Sequence, residues 1–173
     1  MGNQLFFKDN FFSAGLTDIY NEKKEKIGSL DLKSAFSSKV DIVNLEGEML
    51  TRGFFPVFST KWKVVDNNEN ELGTLRQRVS FFSKKYEYIT KNQVCYTIHS
   101  EALSKEYKIN NQKGEVVAQF KRINGFFASP AFELINSSEI LKNEELITVV
   151  MGVNMITKRN NSSAHTTTHG HTM

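Results

Sequence analysis

Three stretches of the chain, residues 19–43, 64–89 and 109–135, are variants of one pattern. Ile19, Val64 and Ile109 stand 45 positions apart, and so do Ile27, Leu72 and Val117. Each copy reads as a short strand, a polar turn (EKKEK, NNENE or NQKGE) and a second strand, together a hairpin. Asn, Asp and Gly suit such turns because they tolerate left-handed backbone and bond their own main chain. An aromatic corner follows (Ala35-Phe36-Ser37, Phe81-Phe82-Ser83, Phe126-Phe127-Ala128), then a third strand. The first two copies continue into a fourth strand, near 48–52 and 94–99. The repeat commits most of the chain to about a dozen short strands.

Period-two alternation supports strands over helices. Leu30/Leu32, Leu75/Val79 and Phe120 face the core, as do Val40/Ile42, Tyr86/Tyr88 and Phe132/Leu134. Residues between them, such as Asp31, Arg76, Arg78 and Lys121, face water. Pro56 and Pro130 fall between strands, where a missing N–H costs no ladder bond. Four strands per repeat also suit propeller blades. Three blades are too few to close a ring, which needs about four, and no Gly-His or Trp-Asp signature is present.

One segment breaks the pattern. From Leu146 to Ile156 the chain is apolar on every side of a helix: Leu146, Ile147, Val149, Val150, Met151, Val153, Met155 and Ile156, with Gly152 among them. Asn143 is the predicted N-cap, Glu144 and Glu145 complement the dipole of the first turn, and Lys158 and Arg159 complement the other end. Eleven residues span roughly 16 Å, whereas a bilayer needs about 20 residues and 30 Å. A helix hydrophobic all round must be buried. The sequence therefore predicts a mainly β, closed antiparallel barrel of about 12 strands that encloses a core helix at about 144–158. Gly152 would mark a place where a large strand side chain meets the helix backbone. Residues 1–159 form one domain, and the polar, low-complexity stretch 160–173 is predicted to be a disordered tail.

The chemistry-bearing residues are sparse. With 173 residues and a formal charge of +3, the chain carries no basic run of the kind a dedicated nucleic-acid binder shows. A single Cys95 cannot form an internal disulfide, which points to a reducing compartment, and buried thiols behave as small hydrophobes. The opening MGNQLFFKDNFF lacks the features of a signal peptide, and its sixth residue, Phe6, is wrong for myristoylation. His99 lies on a predicted strand, and no Gly-rich phosphate loop, HExxH or CxxC is present. No catalytic residues, cofactor or metal site are assigned. His165, His169 and His171 sit in the tail, without the fixed geometry a metal site needs. Arg122 alternates inward with Phe120 and would need an acidic or carbonyl partner there. Arg76, Arg78 and Lys121 share the outward face of equivalent strands, with Lys84 and Lys85 at the next corner. Such a face either meets anionic headgroups, each cation contributing about 1 kcal/mol near a charged membrane, or is a solvated face that blocks edge pairing.

The stretch Phe11-Phe12-Ser13-Ala14-Gly15-Leu16-Thr17-Asp18-Ile19-Tyr20-Asn21 resembles the start of LURP-one-related chains, where an aromatic-Ser pair leads into a "tIYdedG" strand and turn. The copies at 64–89 and 109–135 and the helix at 146–156 are similar to that family's later hairpins and core helix. The resemblance covers roughly residues 4–158. It implies the tubby C-terminal fold, shared with phospholipid scramblases, in which a twelve-stranded barrel surrounds a hydrophobic helix. Tubby domains bind phosphoinositide headgroups through basic side chains, and none of those positions is carried over to this sequence. Scramblases carry a cysteine-rich segment and a proposed calcium-binding stretch; one Cys and no D-x-[DN]-x-[DN]-G loop depart from that pattern.

The function expected from the sequence is a non-enzymatic binding module that docks peripherally on anionic phospholipid, or on a phosphorylated ligand, through Arg76, Arg78, Lys84, Lys85 and Lys121. The alternative is a protein-interaction scaffold without lipid affinity. The expected location is cytoplasmic, peripheral at the inner membrane face if lipid is the partner, with neither a transmembrane segment nor a nucleic-acid partner.

Overall fold

A computed structural model describes residues 3–33, 39–78, 84–100 and 105–165, with side chains as far as Ser162. Twelve strands close into one antiparallel barrel: β1 (Gln4–Lys8), β2 (Gly15–Tyr20), β3 (Lys26–Leu32), β4 (Lys39–Val43), β5 (Met49–Phe54), β6 (Trp62–Asp66), β7 (Glu71–Arg78), β8 (Lys85–Thr90), β9 (Cys95–Ser100), β10 (Tyr107–Asn110), β11 (Val116–Ile123) and β12 (Ala131–Asn136). Sequential strands are neighbours throughout, and β1 shuts the sheet by pairing with both β12 and β2. A single α-helix, α1 (Asn143–His165), follows.

The 45-residue repeat is a repeat of backbone detail. The first hairpin turn of each copy opens on Asn21, Asp66 or Asn111. Each of these side chains accepts the N–H groups two and four residues on, at 2.8–3.0 Å. In each turn the residue three further along, Lys24, Glu69 or Gly114, has φ between 61° and 83°. A ladder irregularity follows Ile19, Val64 and Ile109 alike, and those three side chains are buried. The polar turn residues therefore act as local templates, each supplying the bonds that left-handed backbone leaves the chain short of.

The third copy has only three strands of its own. Its fourth place, beside β12, is taken by β1. Alternation fails in β1 because Leu5, Phe6 and Phe7 are all buried. Leu5 and Phe7 belong to the core, while Phe6 faces out and stacks at 3.7 Å on Phe126 of the β11–β12 connection. A strand covered on both faces carries no period-two signal.

Every apolar residue predicted to line the core among those described is buried; Val79 lies outside the described residues, and Arg122, read as inward, is exposed. The lumen is filled in two halves. On the β4–β7 side lies α1, with the residues from Leu146 to Ile156 buried. The other half is an aromatic cluster in which a short 3-10 helix (Asp9–Phe12) drops Phe11 and Phe12 between Phe7, Phe120 and Phe132, at centroid distances of 4.7–6.2 Å. Trp62, fully buried, lies across Gly152 and Gly53. A Cβ at Gly152 would meet the Trp62 ring at 2.5 Å, and one at Gly53 would meet it at 2.5 Å.

The helix differs from its prediction at both ends. Its first bond runs from Leu146 N–H to Lys142 O, so Lys142 takes the N-cap place, and Asn143 accepts a bond from Asn136 instead. At the far end α1 continues to His165, so residues 160–165, predicted as tail, are helical. Neither Gly nor Pro interrupts them, and contacts with the barrel rim hold the emerging turn. Arg159 Nη1 donates to Ser59 O at 2.9 Å and Asn160 Nδ2 to Gln77 Oε1 at 2.5 Å. Residues 166–173, with His169 and His171, lie outside the described residues, as do the corners at Phe36 and at Phe81 and Phe82.

Candidate functional site

The two ends of the barrel differ. Tight turns and the start of α1 occupy one end. The longer connections, the 3-10 helix and the exit of α1 occupy the other, which we call the long-loop end. The basic residues singled out by sequence divide between two places near that end.

Arg76 and Arg78 project outward from β7 and converge on one carboxylate. Arg76 Nη2 meets Glu87 Oε2 at 2.8 Å, and Arg78 Nη1 meets Glu87 Oε1 at 2.7 Å. Glu87 is 7% exposed beneath them. Two guanidinium groups over one carboxylate leave a net positive charge and donors directed outward, because a guanidinium has five N–H groups in a fixed fork. Lys84 and Lys85 are exposed at the adjoining corner. Lys121 is elsewhere, four strands from β7, and pairs with Glu133 at 3.2 Å. The outward face read from the sequence is thus partly neutralised, and Lys121 is not part of the same cluster.

Register adds two residues that sequence spacing does not reveal. Arg78 lies opposite Lys85, Lys85 opposite His99, and His99 opposite Lys108. All four are exposed. Neighbouring strands are about 4.8 Å apart, so these side chains form a basic row across β7, β8, β9 and β10, perpendicular to the strands. Like charges directly opposite one another destabilise a sheet. Arg78 and Lys85 are such a pair, and the row they open marks the face as a candidate site. Beside it, between β7 and the exit of α1, an open cleft of about 520 Å³ is lined by Thr60, Lys61, Arg76, Gln77, Arg78 and Asn160.

The other chemical candidates fall away from this face. Cys95 is half-buried, and burial pushes its thiol up, which keeps it protonated and unreactive. Arg122 is exposed rather than inward, because β11 passes the rim of the barrel beyond Phe120; its backbone N–H donates to Glu106 Oε1 at 3.4 Å. The lumen holds a polar cluster at the entry of α1, where Tyr88 donates to Glu145 Oε1 at 2.6 Å and Thr51 bonds Thr148 at 2.9 Å. Burial pushes the Glu145 carboxyl above the usual range. The void at Leu5, Ile19, Ile42 and Ile147 measures about 10 Å³, room for about one water. The polar cluster anchors the helix. No helix among the described residues is long and apolar enough to cross a membrane.

The model of the family described as LURP-one-related matches residues 3–138, from the strand that closes the barrel to the end of the third repeat. The chain belongs to the LURP-one-related family. The LURP-one-related fold is similar to that of a crystallised protein from Arabidopsis thaliana. The two share 12% sequence identity with a TM-score of 0.59, over 87% of this chain and 90% of that one. No curated protein matches the chain. Family and neighbour agree on the fold, a closed antiparallel barrel with one C-terminal helix.

Proposed function

We propose that this LURP-one-related barrel is a non-enzymatic binding module whose ligand is the phosphate of anionic phospholipid headgroups. The basic row Arg78–Lys85–His99–Lys108 is the observation that supports it. A row of donors at strand spacing matches an array of phosphates better than it matches a single ion. Arg76 and Arg78 supply forked donors, and Lys84 and Lys85 supply mobile charge at the corner. Contact is peripheral, on the surface of the barrel.

Co-sedimentation with phosphatidylcholine vesicles, with and without phosphatidylserine, tests this at low and physiological salt. Binding is expected only with the anionic lipid and should weaken as salt rises. Arg76→Glu with Arg78→Glu should abolish it, as should Lys85→Glu with Lys108→Glu, while circular dichroism shows the fold intact. Glu87→Gln should strengthen it by removing the carboxylate that holds both arginines. Binding that ignores these changes, or does not occur, would leave the barrel as an interaction scaffold and direct the search to protein partners.

A further inference from the structure

The charge of this molecule is sorted along the barrel axis. At the long-loop end, segments 8–15, 54–62, 105–107, 122–131 and 157–162 with positions 33, 39, 78, 84 and 85 carry eleven Lys and Arg against Asp9 and Glu106, with Asp31 and Glu87 paired to Lys33 and Arg78. At the tight-turn end, segments 20–26, 43–49, 66–71, 90–95, 110–116 and 136–145 carry eleven Asp and Glu against six Lys. Among the described residues one end is therefore basic and the other, even without the buried Glu145, acidic.

The basic end also carries an apolar tip. In the β5–β6 connection Val57 is 84% and Phe58 100% exposed. Phe58 has φ of 60°, a left-handed conformation that aromatic residues rarely adopt. Its turn is closed by Ser59 N–H donating to Pro56 O at 3.0 Å. The loop is pinned from below, where Arg159 donates to Ser59 O at 2.9 Å and its guanidinium lies 4.8 Å over the Phe55 ring. Fixed backbone thus holds a large apolar side chain out into solvent. Leu45 and Ile140 are exposed at the opposite end, but they sit among acids that an anionic surface repels.

We propose that the long-loop end is a membrane-docking face, with Val57 and Phe58 entering the interfacial layer of an anionic bilayer while the surrounding cations meet its headgroups. The inference rests on the headgroup reading above and adds an orientation and an anchor. A two-residue tip is small beside the roughly 800 Å² per partner of a stable protein interface. An apolar anchor in a field of Lys and Arg is the combination that interfacial binding uses.

The test places a fluorescent probe at each end of the full chain. With phosphatidylserine-containing vesicles bearing brominated acyl chains, the Phe58→Trp probe should be quenched and shifted to the blue. The Leu45→Trp probe should be unchanged, against the constant background of buried Trp62. Val57→Ser with Phe58→Ser should weaken vesicle binding about tenfold without altering the melting curve. Binding in which neither probe is quenched, or in which Leu45→Trp is quenched, would overturn end-on docking and leave the headgroup reading intact. Failure of the unmodified chain to bind anionic vesicles would remove both. Self-association that needs Phe58 in the absence of lipid would assign the tip to contact between copies and overturn the proposal.

Discussion

Glu145 enters the lumen in the first turn of α1 and meets Tyr88, which donates to it at 2.6 Å. Burial raises its carboxyl above the ordinary glutamate range, more than the bonds from Tyr88 and from the Lys142 N–H lower it. The sign of the linkage follows. Between the ordinary and the raised value the folded chain holds a proton that the unfolded chain has released, so stability falls as pH climbs through that window and is level above it. Glu145→Gln keeps an acceptor for Tyr88 without the buried charge. Thermal melts across pH 4–8 should show a higher and flatter profile for this variant. An unchanged slope would mean the carboxylate is better solvated than its burial indicates. Cross-strand partners of this kind are hidden from sequence. Outward parity of Arg76 and Arg78 is legible in the alternation of β7. Their convergence on Glu87 and the alignment of Lys85 with His99 and Lys108 depend on register, which repeat spacing leaves open.

Among the elements, α1 is the clearest in the sequence at its centre and the least clear at its ends. An eleven-residue apolar run dictates burial whatever surrounds it. The polar turns after Thr157 are held instead by Ser59, Gln77 and Tyr86 on the rim, and nothing local announces that. Val150→Asp should prevent folding, since an unpaired charge in the lumen costs several kcal/mol, comparable to the stability of a domain. Expression of a soluble, cooperatively unfolding variant would show that the lumen can rearrange around it. Gly152→Ala is the gentler probe. Its Cβ would press on the rigid Trp62 ring, and overpacking of this kind costs about 1–3 kcal/mol, readable as a lower urea midpoint. Trp62→Phe in the same chain should recover part of the loss, because the smaller ring leaves the methyl group room.

For the molecule as a whole, closure depends on β1. Without it β12 and β2 become open edges, and Leu5 and Phe7 leave the core. Deleting residues 1–8 should give a chain that aggregates through those edges, measurable by light scattering. A monomer with the native melting transition would mean that β2 and β12 can pair directly. The sequence makes eleven strands legible through alternation and the Asn/Asp turns, yet conceals the twelfth, where two covered faces erase the pattern.

That closing strand also carries a consequence for synthesis. Phe6 pairs with Glu133, so one edge of β1 waits for a strand far along the chain, and the helix that fills the lumen comes later still. The stretch from β1 to β12, residues 8–131, takes roughly 6–25 s to synthesise at about 5–20 residues per second, and one edge of β1 stays unpaired throughout. No subset of strands can close the barrel early, because the second partner of β1 and the helix that fills the lumen both follow β2–β11 in the chain. The barrel is therefore expected to close in one late step, once β12 and α1 are both available.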